Sequence, residues 1–327
     1  MVRRHPWWAC RTIPKGRMGI EEKLAQLGIA ETYDLPFASM GLSLSDQYWV
    51  KPRKADLSWG DVNFFQNDFP GSGEGAWLSA IGLKSPDNTS DGALPKTWIC
   101  DNGVRYLLKG GMLLNQEPYN ECVATDLHGR ILEEGDFVPY HLRLRGSDVV
   151  SACPNFVGPT EEFVAAYYVK GVLRKLPHRN DYRHYIECCE ALGANGAERA
   201  LQKMIVCGDI VANTDRHWRN FGLVRDVETL KYRVAPLFDS GTSLWCRLPT
   251  RDMVYAGFGF NTKPFEEEAN DQLRLVDDFS WLDFDALEGF PEAAADMLEE
   301  NPALAGRVDF VFEGIRSRID HLRAMAS

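Results

Sequence analysis

No stretch of the 327 residues approaches the ~18 consecutive apolar residues that cross a bilayer, so no membrane span is expected. The N-terminal residues are basic but lack the apolar core of a signal peptide, and the expected location is cytoplasmic. Paired cysteine spacing is missing too. The eight cysteines stand at 10, 100, 122, 153, 188, 189, 207 and 246 with no C-x-x-C, which argues against a zinc site and a disulfide framework. Buried free thiols are expected instead. Excess positive charge is also absent. The net charge is −11, so no direct nucleic-acid binding is expected, although a local basic patch at Arg3, Arg4, Arg11, Lys15 and Arg17 stays open. Internal repeats and low-complexity tracts are lacking as well. What remains is an ordinary globular composition, 45% apolar and 25% charged, enough for one large domain or two lobes.

The informative stretch is residues 209–241. It sets Asp215, His217 and Asn220 in one polar loop, followed by an expected hairpin (220–225 with 231–236) and then Asp239-Ser240-Gly241. Phosphoryl transfer from a nucleotide needs a carboxylate at the attacking hydroxyl, and an Asn and a second Asp to hold the metal. In the kinase pattern H-R-D-x-x-x-x-N the Asn follows the Asp by five positions, as Asn220 follows Asp215. Asp239 then occupies the place of the metal-binding Asp of D-F-G. Taken singly, such residues more often make local side-chain to backbone bonds. Their order is harder to reach by chance.

A second stretch fits the same chemistry. Ser90-Asp91-Gly92-Ala93-Leu94-Pro95-Lys96 is a turn-rich loop, and an Asn102-Gly103 turn joins two expected strands, 97–100 and 104–109. Loop, strand, turn and strand ending in Lys109 is the layout of a nucleotide cover followed by a phosphate-pairing lysine. The loop has one glycine and is neither a Walker A motif nor G-x-G-x-x-G. Alone it reads equally as a surface turn.

The residues N-T-D-R-H-W-R-N-F-G (213–222) and A-P-L-F-D (235–239) resemble HipA-like serine/threonine kinases, including the smaller CtkA-type members, which are similar in fold to phosphatidylinositol kinases. In that family His follows the catalytic Asp by two positions, as His217 does. The resemblance extends from about Gly41 to the C-terminus. It implies an α+β, two-lobed kinase-like fold: an extension to residue 40, a β-rich lobe over 41–145 with its nucleotide loop at 89–97, and a mainly helical lobe over 146–327.

It also implies ATP and Mg²⁺ as cofactors, and roles for named residues. Asp215 would receive the acceptor's proton, with His217 and Asn220 in the same catalytic loop. Asn220 and Asp239 would hold Mg²⁺. Ser90, Asp91, Gly92, Lys96 and Lys109 would meet the nucleotide, and Lys109 would pair with Glu121, for which Glu117 is the rival. Thr89 and Ser90 are the hydroxyls nearest the loop and hence candidates for self-phosphorylation. Arg216 and Arg219 either contact phosphate or pair with the acidic surface. The implied partner is an unidentified protein acceptor, and an antitoxin-like or regulatory partner stays open. A small-molecule or lipid kinase and a non-catalytic pseudokinase are the alternatives.

Along the rest of the chain, helices are expected at 19–27, 117–127, 180–192, 198–212 and 307–325. The stretch from Gly41 to Trp59 is expected to hold a strand closed by Pro52, and another is expected over 135–144, with adenine-reading backbone at 140–146. The chain is expected to turn helical from Asp148, with Thr160 capping a helix and Glu161 and Glu162 in its first turn. Trp7 and Trp8 are expected as packing anchors.

Overall fold

Asn102 and Gly103 both take positive φ, 50° and 81°, the backbone that closes a two-residue hairpin with the right twist. They join β1 (Lys96–Asp101) to β2 (Val104–Lys109), which pair antiparallel with Lys96 opposite Lys109. The computed structural model describes residues 11–13, 15–16, 20–51, 53–69, 85–89, 94–112 and 114–326. Arg3, Arg4, Trp7, Trp8, Arg17, Ser90, Asp91 and Gly92 lie outside them.

The chain divides into two units, one running up to Gly111 and including Leu142–Glu162, the other Met112–His141 with Phe163 onward. In the first unit, β3 (His141–Arg145) and β4 (Asp148–Pro154) complete a sheet of order β1-β2-β4-β3, with β4 antiparallel to β2. Leu108, Val150 and Ala152 are buried against Ile99 beneath it. Asp87 fastens the preceding turn to β1, its carboxylate accepting from the Thr97 hydroxyl (2.6 Å) and the Trp98 amide (2.7 Å). Helix α1 (Ile20–Leu27) buries Ile20 and Leu24 in a small cluster with Ile13 and Leu35.

Two sequence expectations fail in this unit. The described residues from Gly41 to Trp59 form no strand. Its short polar side chains satisfy the backbone locally: the Asp46 carboxylate accepts from the Tyr48 amide at 2.8 Å and Ser43 Oγ from the Ser45 amide at 3.1 Å. Such bonds compete with a ladder. Arg11 is buried here, donating to the Gly41 carbonyl at 2.6 Å and to Asp46, and so does not join a basic surface. Nor does the chain turn helical at Asp148. β4 begins there, and Glu161–Ala165 is strand β5, with no helix on Thr160. Only the short helix Ala166–Val169 follows directly. Phe163 and Val164 favour a half-buried strand.

In the second unit, β5, β6 (Gly222–Asp226) and β7 (Tyr232–Val234) form a sheet in that order, β6 and β7 antiparallel. Gly222 is required by close approach: a Cβ there would lie 2.2 Å from the Val164 carbonyl oxygen. The longer helices are α2 (Glu117–Ile131), α3 (Asp181–Ala191), α4 (Ala197–Ile210), α5 (Phe290–Glu299) and α6 (Val308–Ala326). Pro118 opens α2, and the Asn180 side chain caps α3 by accepting from the Arg183 amide at 2.8 Å.

The apolar stripe of α4, Leu201, Met204 and Ile205, is buried, as are Val308, Val311, Ile315, Ile319 and Leu322 of α6. Phe312 is half-buried. Arg318 of α6 is paired in the interior with Asp209 of α4. Gly314 lets α6 close on Trp245, since a Cβ would fall 2.4 Å from that ring. Buried thiols are also as expected. Cys122, Cys189 and Cys207 are buried and free, Cys246 is free and half-buried, and burial pushes each up to about 12.

Candidate functional site

Helix α4 ends at Ile210, and the chain leaves it through Ala212 at φ 48°. Asn213, fully buried, then builds the next turn: its amide donates to the Gly208 carbonyl (2.8 Å) and its Oδ1 accepts from the Asp215 amide (2.9 Å). The loop closes on itself from there. The His217 amide donates to the Asp215 carbonyl and the Asn220 amide to the His217 carbonyl, both at 2.8 Å. Asn220 Nδ2 donates to the Asp215 carbonyl at 3.0 Å, which fixes the amide's orientation and leaves Oδ1 as its acceptor face. The His217 ring is turned toward the backbone, Nδ1 accepting from the Arg219 amide at 3.2 Å.

Arg216 joins this loop to the one carrying Asp239. Its guanidinium donates to the carbonyls of Asn220 (3.1 Å) and Phe238, and to Ser240 Oγ (2.9 Å). The side chain is buried; burial lowers its pKa, while the charges of Asp239 and Glu121 raise it. Arg216 is therefore neither a surface pair nor an exposed phosphate contact, as the sequence had suggested. It is an internal brace. Arg219 also lies against Tyr167, 5.6 Å from the ring centre. The Thr214 amide adds a second tie, to the Thr242 carbonyl at 3.1 Å.

Helix α2 holds the Asp239 loop from another direction. Buried Glu121 accepts the Ser240 amide on Oε2 at 2.8 Å, and buried Asn120 donates to the carbonyls of Gly241 (2.8 Å) and Ser243 (2.9 Å). Gln116 reaches the Leu244 carbonyl at 3.0 Å. A Cβ added at Gly241 would sit in van der Waals contact, 3.4 Å from Glu117 and Glu121 atoms. Asp239 adopts φ 61°, and its amide donates to the Tyr140 hydroxyl at 3.3 Å. Upstream, the Leu237 amide donates to the Asp136 carbonyl (2.7 Å) and the Val138 amide to the Leu237 carbonyl (2.8 Å), fixing the chain just before the loop.

Asp215 itself is addressed by cations. Lys263 Nζ lies 2.8 Å from Oδ1 and an Arg247 guanidinium nitrogen 3.5 Å from Oδ2. Neither residue carries a signal in the sequence: each is more than 30 positions from Asp215 and belongs to no motif. Asn120, Gln116 and Tyr140 were missed for the same reason, though Asn120 adjoins Glu121. Glu117, the rival of Glu121, accepts the Met112 amide at 3.0 Å.

Thus the structure brings Glu121, Asp215, Asn220 and the Asp239 loop into one hydrogen-bonded assembly. The donor set of Asn220 Oδ1 and the Asp239 carboxylate is hard oxygen, which suits Mg²⁺ completed by phosphates. Among the described residues, no group of three or more His, Cys, Asp or Glu forms a metal cluster. Lys96 and Lys109 lie in the other unit, as register partners on β1 and β2, with Lys109 buried. Thr89 ends a 3₁₀ turn there, its hydroxyl donating to the carbonyls of Leu42 (3.1 Å) and Pro86 (3.2 Å).

The fold has counterparts among solved structures. The chain is similar to the Helicobacter pylori proinflammatory kinase CtkA, with a TM-score of 0.52 and 16% identity over 70% of this chain and 94% of that one. It is also similar to HipA from the Shewanella oneidensis MR-1 complex of HipA, HipB and operator DNA, with a TM-score of 0.55 and 13% identity over 96% and 84% of the two chains. The fold is HipA-like. At these identities the likeness is one of fold, here a mixture of helices and antiparallel sheets. No family model and no curated protein matches the chain. Among the described residues no helix is long and apolar enough to cross a membrane.

Proposed function

We propose that the chain is an ATP-dependent serine/threonine protein kinase. The observation that carries this reading is the Arg216 brace. It fastens the loop of Asp215 and Asn220 to the loop of Asp239 inside a HipA-like fold, and Glu121 grips Ser240 from a third element.

In this reading Asp215 orients the acceptor hydroxyl and takes its proton, a role worth roughly 10²–10⁴-fold in rate. Asn220 Oδ1 and Asp239 hold Mg²⁺, which when bound supplies charge neutralisation at the nucleotide phosphates. Lys96, Lys109 and the loop residues Ser90, Asp91 and Gly92 are assigned to the nucleotide. Glu121 is favoured over Glu117 as the helix carboxylate because it is the buried one, on the Asp239 loop. His217, with its ring turned to the backbone, shapes the loop.

Thr89 and Ser90 are the proposed self-phosphorylation sites. The acceptor in trans is a protein hydroxyl, and a regulatory partner is part of the proposal because the Shewanella HipA was solved with HipB. A cytoplasmic setting suits the free thiols.

The test is transfer of labelled γ-phosphate from Mg-ATP by wild type, beside Asp215→Asn and Asp239→Asn, with peptide mass spectrometry to locate the label. Label on wild type alone, including residues 89–90, is the expected result. Equal labelling of the Asp215→Asn variant would sink the assignment. A wild type that neither transfers phosphate nor gains thermal stability from Mg-ATP would remove the kinase reading altogether.

A further inference from the structure

Lys263 is held against Asp215 by more than its own ion pair. The hydroxyl of Thr262 donates to the carbonyl of Asn213, the residue that starts the Asp215 turn, at 3.1 Å. Buried Gln272 then fixes the segment on both sides. Its Nε2 donates to the Lys263 carbonyl (2.8 Å) and to Thr262 Oγ1 (3.2 Å), and its Oε1 accepts the amides of Phe265 (3.1 Å) and Glu266 (3.4 Å). Phe265 packs edge-on against Trp218, within the same catalytic loop, at 5.3 Å between ring centres, and against Tyr182 at 5.2 Å. A half-exposed ion pair by itself contributes about 0–1 kcal/mol. That is a small return for so many tethers on the segment 262–266 that carries this lysine.

Resting on the kinase reading above, we propose that Lys263 is a catalytic residue of the transfer step: its ammonium binds the phosphoryl group in flight. In that step the acceptor oxygen forms a bond to the γ-phosphorus as the bond from phosphorus to the bridging oxygen of the departing diphosphate breaks. The hydroxyl proton passes to Asp215, and negative charge spreads over three equatorial oxygens. The attacking oxygen sits at once beside Asp215 and beside phosphorus. A cation 2.8 Å from that carboxylate therefore reaches an equatorial oxygen by side-chain rotation alone. Arg247 is more exposed and farther from the carboxylate. It serves the outer side of the same anion.

Fixed donors at developing charge contribute about 10²–10³-fold each. We expect Lys263→Ala to lower kcat about 100-fold with KM for ATP nearly unchanged, and Lys263→Arg to recover most of the loss. Binding supplies a readout independent of turnover. With Mg²⁺, ADP plus tetrafluoroaluminate, which mimics the planar phosphoryl group, should bind Lys263→Ala at least tenfold more weakly than wild type in calorimetry. ADP alone should bind both within about twofold. Arg251→Ala, an exposed change elsewhere, is the control for surface charge.

Unchanged fluoride-complex affinity in Lys263→Ala overturns the proposal, as does an equal loss of ADP affinity. If wild type forms the complex, Asp239→Asn does not, and Lys263→Ala still does, this proposal alone falls. If wild type forms no such complex, this proposal falls; if it also transfers no phosphate and gains no stability from Mg-ATP, the kinase reading falls with it.

Discussion

The loops of Asp215 and Asp239 are built differently. Around Asp239 the supports are buried: Ser240 and Glu121 are each under 5% exposed, and Arg216 is sealed beneath with its donors on backbone carbonyls and Ser240. Asp239 itself is held at φ 61°, a conformation that costs an Asp of order 1 kcal/mol and persists only when the surroundings fix it. Around Asp215 the contacts of the side chain are half-exposed or exposed cations, Lys263 and Arg247. A carboxylate on a firmly held loop suits a metal that must stay in place. One paired with movable cations suits a group that has to exchange partners as the acceptor arrives. The contrast assigns the two carboxylates different tasks in the proposed reaction.

Removing either carboxylate should have the largest effect. Asp239→Asn and Asp215→Asn are each expected to lower phosphate transfer by about 10²–10⁴-fold, but only Asp239→Asn should also abolish the Mg²⁺-dependent part of nucleotide binding. Calorimetry with and without Mg²⁺ separates them, and identical profiles would erase the contrast.

Arg216→Met comes next. It strands the carbonyls of residues 220 and 238 and removes the buried positive charge beside Asp239 and Glu121, so unfolding free energy should fall by about 3–5 kcal/mol in urea titrations. A change within 0.5 kcal/mol would mean the two loops stand without the brace.

The third prediction concerns acid. His128, on α2 beside Phe137, is buried; burial first, and the Arg216 charge second, bring it down to about 3. Its unfolded value is about 6.5. The folded state therefore binds fewer protons between those values, so this contribution is full above pH 6.5 and is lost as pH falls toward 3. Wild type should lose about 2 kcal/mol from this group between pH 7 and 5. Asp209, which burial raises to about 6 despite Arg318, works the opposite way and is lost as pH rises from about 4 to 6. Comparing His128→Gln with wild type at both pH values isolates the histidine. Parallel stability curves would contradict the assignment.

The smallest effect is Tyr140→Phe. It removes the hydroxyl that accepts the Asp239 amide and should cost at most about 1 kcal/mol, with a modest rise in the Mg²⁺ concentration needed for half-maximal transfer.

Much of this architecture is legible from residue patterns. The Asn102-Gly103 hairpin, the stripes of α4 and α6, and the Asp215–Asn220 spacing each rest on local rules. Residues 41–59 and 160–165 misled for a physical reason. Ser43, Ser45 and Asp46 suit local hydrogen bonds as well as alternation suits a strand, and Thr160 with two glutamates mimics a helix start that pairing to β6 overrides. Arg216 was visible as a charge, but its burial depends on Phe238 and Ser240, more than 20 residues on. Lys263 depends on Gln272 and Phe265 folding back to the loop. Long-range closure of this kind leaves no periodic trace.

The central claim is that Asn220 and Asp239 hold the metal of a nucleotide whose γ-phosphate faces Asp215. A crystal structure with Mg²⁺ and a non-hydrolysable ATP analogue tests it most directly. The account predicts the metal on Asn220 Oδ1 and the Asp239 carboxylate, with the terminal phosphate turned toward Asp215 and Lys263. A metal held by other residues, or a nucleotide bound away from these two loops, would contradict it.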